Sequence, residues 1–65
     1  MKKLYQIAWM GRKNGEYKFG CQILGATSED VAIDFVRDEI AAYELDYIKF
    51  AAQQISLITL AGMVL

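Results

Sequence analysis

The 65-residue chain reads as a small α+β domain of order β-β-α-β, with one helix packed on a three-stranded, largely antiparallel sheet. Three observations predict this. Four of the five glycines fall at 11, 15, 20 and 25, and the next is at 62, so turns belong to the first third and a helix to the middle. Two stretches in the first third alternate in polarity with period two, as strands do. A helix-start signal then precedes apolar residues at helical spacing. The elements are expected as a hairpin over 1–25, a helix over 28–43 and a strand over 54–60, all in one domain.

In the first strand Tyr5, Ile7 and Trp9 oppose Leu4, Gln6, Ala8 and Met10. In the second, Tyr17, Phe19, Cys21 and Ile23 oppose Lys18, Gly20 and Gln22. The turn holds Asn14-Gly15. A two-residue turn there pairs Trp9 with Gly20 and sends the two apolar rows to opposite faces. A three-residue loop, Lys13-Asn14-Gly15, puts both rows on one face, with Trp9 opposite Phe19, Ile7 opposite Cys21 and Tyr5 opposite Ile23. A one-residue slip moves every side chain across the sheet, so burial favours the three-residue loop.

Thr27-Ser28-Glu29-Asp30 supplies capping hydroxyls and acidic residues suited to the positive end of a helix. Ala32, Phe35, Val36, Ile40 and Tyr43 then form a stripe fit to cover the Tyr5/Ile7/Trp9/Phe19/Cys21/Ile23 face. No clear stop follows. The strand over 54–60 rests on Ile55, Leu57, Ile58 and Thr59, which favour extended structure. The alternative is a hairpin followed by one long helix reaching about residue 60, because periodicity does not separate the two for a short apolar run.

A strand apolar on both faces wants cover on both sides. The face away from the helix is expected to carry Leu4, Ala8, Met10 and Leu24, with Lys18 as its charge, and Leu57 and Ile58 of the third strand are expected among the partner contacts. An apolar surface of that kind marks an interaction site. A chain of about 60 residues is marginal alone, and 55% of this one is hydrophobic against a usual 45–50% or so. Self-association is therefore expected. The uncharged stretch from Phe50 to Leu65 falls short of the roughly 20 residues that span a bilayer, so no membrane segment is expected. No cleavage-site pattern follows the basic start, so no signal peptide is expected either.

Composition narrows the chemistry. With a single cysteine there is no disulfide framework, and the chain fits a reducing cytoplasm. Without histidine an all-protein zinc site is not expected. Cys21 has no base to activate it and is expected to be a buried, inert hydrophobe. No glycine cluster opens the helix as a phosphate loop does. Asp34 and Asp38, four apart, lack a calcium-loop spacing. No catalytic residue, cofactor or metal is expected.

Charge is distributed unevenly. Residues 1–18 hold Lys2, Lys3, Arg12, Lys13 and Lys18 against Glu16 alone, whereas residues 29–46 hold Glu29, Asp30, Asp34, Asp38, Glu39, Glu44 and Asp46 against Arg37 alone. Three readings compete. Both ends are simply solvated, or opposite ends meet in an assembly. Trp9, Arg12, Lys13, Tyr17 and Lys18 contact nucleic acid or a nucleotide, pairing phosphate and stacking bases. Or Asp34, Asp38 and the other helix carboxylates mimic a phosphate backbone and occupy a basic groove on a host protein.

The alternating hairpin, the Ala26-Thr-Ser-Glu-Asp-Val-Ala-Ile33 helix start and the terminal strand together resemble small hairpin–helix–strand proteins of phage and mobile-element accessory genes. Some of those proteins inhibit host defence systems. The resemblance implies a fold and a binding role and no catalytic residue. The expected function is thus a non-enzymatic accessory or inhibitory protein acting as a homo-oligomer through protein contacts. A nucleotide- or nucleic-acid-binding module using the basic hairpin is the alternative, and a structural assembly subunit is the third.

Overall fold

A computed structural model describes residues 2–56. Strand β1 spans Lys3–Lys13, β2 spans Glu16–Ala26, helix α1 spans Glu29–Ile40 and β3 spans Tyr47–Ile55. The sheet has the order β2-β1-β3, and β1 pairs antiparallel with both neighbours. The architecture is the expected β-β-α-β domain. A 3-10 turn, Ala41–Tyr43, extends α1 to the expected helix end.

The hairpin register differs from the expected one. Lys13 pairs with Glu16, so the turn has two residues, Asn14 and Gly15, with φ of 52° and 82°. Two positive φ values define the turn whose twist matches a right-handed hairpin, and Asn-Gly is the pair best suited to it. Local turn chemistry thus prevailed over the burial of both rows. Trp9 faces Gly20 rather than Phe19. The pairing fits because Gly20 has no side chain: a Cβ there would run into the indole of Trp9.

This register sorts the side chains. Tyr5, Ile7 and Trp9 share the helix-facing side with Leu24 and Gly20 of β2 and with Ile48, Phe50 and Ala52 of β3. The core consists of Tyr5, Ile7, Ala26, Ala32, Val36 and Ile40, with Trp9, Leu24, Ile33, Leu45, Ile48, Phe50 and Ala52 packed against it. Each large apolar side chain fully buried contributes about 1.5–3 kcal/mol. Leu24 therefore belongs to the core side, not to the outer face where it was expected, and Lys18 follows it. Conversely Phe19, Cys21 and Ile23 point away from the helix and are exposed. Cys21 is not the buried residue the sequence suggested.

Ser28 caps α1. Its backbone is extended, and its hydroxyl accepts from the Val31 amide at 3.3 Å. Ala32, Val36 and Ile40 form the buried stripe, but Phe35, expected within it, lies on the flank and is half exposed. After the 3-10 turn, Glu44 takes a left-handed conformation with φ of 53°. The tip of the hairpin holds this corner. The Asp46 amide donates to the Arg12 carbonyl at 2.8 Å, and the Asn14 amide donates to the Asp46 carboxylate at 3.2 Å.

Those bonds set β3 beside β1 from Tyr47 onward, earlier than the expected 54–60. Ile48, Phe50 and Ala52 alternate with Tyr47, Lys49 and Ala51, a half-buried pattern that outweighs the higher strand propensity of the residues beyond Ile55. The expected strand residues 57–60, Leu57 and Ile58 among them, lie outside the described residues. No helix among the described residues is long and apolar enough to cross a membrane.

Candidate functional site: the open face of the sheet

One layer of helix covers one face of the sheet, and nothing in the described chain lies over the other. Cross-strand register builds that open face as a series of rows running β2, β1, β3. At the hairpin end stands Tyr17–Arg12–Tyr47, then Phe19–Met10–Lys49. Cys21–Ala8–Ala51 follows, then Ile23–Gln6–Gln53, and at the far end Leu4 lies beside Ile55.

The face combines exposed aromatic surface with few charges. Phe19 is 72% exposed, Tyr17 57% and Tyr47 48%. The rings of Tyr17 and Phe19 stack at 6.4 Å between centroids. Its charges among the described residues are cationic, Arg12 and Lys49 in the rows and Lys2 beside Gly25 at the far end; every described carboxylate belongs to the helix, its flanking loops or the helix-side end of the hairpin. Between β1 and β3 the small side chains of Ala8 and Ala51 leave a shallow depression of about 380 Å³, bordered by Gln6, Ala52 and Gln53.

The structure divides the residues expected to touch nucleic acid. Arg12 and Tyr17 are cross-strand partners on the open face. Trp9, Lys13 and Lys18 lie on the helix side and are engaged there. Trp9 stacks on Tyr43 at 6.0 Å. Lys13 donates to the Tyr43 carbonyl at 3.3 Å and pairs with Glu44 at 3.7 Å. Lys18 sits 5.4 Å above the Tyr43 ring. Trp9, Lys18, Phe19 and Tyr43 border a second hollow of about 270 Å³ at the β2 edge.

Of the residues expected to meet a partner protein, Leu4, Ala8 and Met10 do lie on the open face. Asp34 and Asp38 are exposed on α1, where the Arg37 guanidinium donates to Asp34 at 2.9 Å. Phe19, Ile23, Tyr47 and Lys49 were missed. Their signal was the Asn14-Gly15 dipeptide, which fixes the faces of β2, and the alternation over residues 47–51.

Cys21 Sγ accepts from the Gln6 amide at 3.5 Å, and its row neighbours are two alanines rather than the electropositive groups that activate a thiol. Among the described residues no three Cys, Asp or Glu side chains gather as a metal site would require. No protein-family model matches the chain, and no curated protein or solved structure does so.

Proposed function

We propose that this is a non-enzymatic binding protein that self-associates and works through protein–protein contacts on the open face of its sheet. The observation that carries the proposal is the row of Tyr17, Phe19 and Ile23, exposed on a face without a carboxylate among the described residues. Aromatic residues, methionine and arginine are enriched at interface centres, while acids and lysine are depleted there. Tyr17, Phe19, Tyr47, Met10 and Arg12 meet that description, with Lys49 the exception. Apolar surface of this extent on a domain this small lowers its free energy by being covered. An accessory or inhibitory role, in which the face engages a target protein, is the use we propose for it. A single exposed thiol fits a reducing compartment, and the cytoplasm is the location we propose.

The test is a comparison of wild type with Ala51→Glu. Ala51 is exposed, so a glutamate there is solvated in the free domain but places a charge in the middle of the face. Wild type should sediment above the 7.4 kDa of one chain and retain protein partners on a column; Ala51→Glu should do neither while keeping its circular dichroism. Equal behaviour of the two proteins would overturn the proposal.

The Tyr17–Arg12–Tyr47 row favours a second reading, a platform for single-stranded nucleic acid, on which bases stack and Arg12 and Lys49 meet phosphates. Arg12, Lys49 and the distant Lys2 make a weak electrostatic footing, because Lys13 and Lys18 are turned to the helix side. Titration of a fluorescent oligonucleotide decides: binding weakened by salt and by Tyr17→Ala would move this reading to first place.

A further inference from the structure

We infer that the occupant of the open face is the helix of a second copy of this chain, docked head to tail. The inference rests on the protein-contact role proposed above and names the partner surface. Two properties of the open face are matched on the outside of α1. The first is charge. The face carries Arg12 and Lys49, whereas the exposed side of α1 carries Glu29, Asp30, Asp34, Asp38 and Glu39, offset only by Arg37. Surfaces of opposite sign attract and orient one another, and two copies of the same cationic face do not gain that attraction.

The second property is shape. The open face has a shallow depression of about 380 Å³ floored by Ala8 and Ala51. The helix has a protruding apolar pair at i and i+4, Val31 and Phe35, which are 49% and 51% exposed although the helix is already packed on its own sheet. Asp34 and Asp38 flank Phe35 on the helix, as Lys49 flanks Ala51 on the sheet. A Phe35 ring seated in the alanine depression brings the carboxylates toward the cations. The sheet is then covered by its own helix on one side and a neighbour's on the other, the layering that sheets with two apolar faces adopt. Because the two contact surfaces differ, the contact is heterologous and propagates into a ring or an open chain rather than stopping at a two-fold dimer.

Complementary variants test this. Ala51→Glu spoils the face and leaves the helix intact. Phe35→Lys removes the apolar projection, sets a cation opposite Arg12 and Lys49, and leaves the face intact. Asp38→Lys serves as a second helix variant should Phe35→Lys lose its circular dichroism. By analytical ultracentrifugation wild type should form species larger than a dimer. Each variant alone should run at 7.4 kDa. An equimolar mixture of Ala51→Glu with either helix variant should give a 1:1 complex, since one good helix and one good face remain. A mixture that stays monomeric, with wild type still assembled, overturns the head-to-tail contact and leaves the face as a contact of another kind. A wild type that stops at a dimer broken by Ala51→Glu but not by either helix variant also overturns it. A wild type at 7.4 kDa at every concentration overturns both this inference and the proposed self-association.

Discussion

The two faces of the sheet share a backbone and differ in what their side chains meet. On the helix side Tyr5, Ile7 and Leu24 pack beneath Ala32, Val36 and Ile40, and the large side chains interlock. On the other side Tyr17, Phe19 and Ile23, residues of similar size and polarity, have solvent over them. Apolar character therefore does not say which side of this sheet is the core. The turn says it. Asn14 and Gly15 accept the positive φ values of a two-residue turn, and that geometry assigns each β2 residue to a face before any packing is considered. One face holds the domain together, and the other is left available for a partner.

The widest expected gap between the faces is in stability. Ile7→Ala should cost about 2–5 kcal/mol, the range for deleting a fully buried large aliphatic side chain. Ile23→Ala should stay within about 0.5 kcal/mol, as exposed substitutions do. Urea unfolding of both, made in the Ala51→Glu background so that assembly does not contribute, gives the comparison directly. Equal costs would mean that Ile23 is also buried and that the faces have been assigned wrongly.

The glycines of β2 give a smaller contrast. Alanine at Gly20 must displace the indole of Trp9, with a strain of about 1–3 kcal/mol. Alanine at Gly25 meets its nearest atom, the Lys3 carbonyl oxygen, at an ordinary 3.8 Å and should be close to neutral. A neutral Gly20→Ala in thermal unfolding would place the indole elsewhere and with it the whole register. Smaller again is Gly15→Ala, which has open space around it but a φ of 82°, so its cost of about 1–2 kcal/mol is purely conformational. A stabilising Gly15→Ala would indicate a different turn.

Much of the fold was legible in the sequence. Alternation marked both hairpin strands, Thr27-Ser28-Glu29-Asp30 marked the helix start, and the helix stripe was right at Ala32, Val36 and Ile40. Two things were misread for physical reasons. Burial was ranked above turn geometry, although a turn acts locally and an exposed row costs little if a partner covers it. Propensity was ranked above pattern for β3, although Ile48 and Phe50 flanking Lys49 is the stronger sign of a strand with one buried face. The candidate site inherits both points. Arg12, Leu4, Ala8 and Met10 share the open face through the alternation of β1, which the sequence shows, whereas Tyr17 joins them only through the two-residue turn. Phe19, Ile23, Tyr47 and Lys49 depend on the register of β2 and the position of β3. Lys13 and Lys18 are met by Glu44 and Tyr43, a closure of the chain that the sequence does not show.

The reactivity of Cys21 tests the assignment of the two faces most directly, because the thiol lies in the middle of the β2 row that the turn sends outward. The measurement is the rate of thiol labelling in folded Ala51→Glu protein, where no second copy covers the face, against the rate in urea. With Cys21 on the open face, the native rate should approach the denatured one. A thiol protected in the folded monomer and released only on unfolding would put Cys21 under the helix and contradict the account.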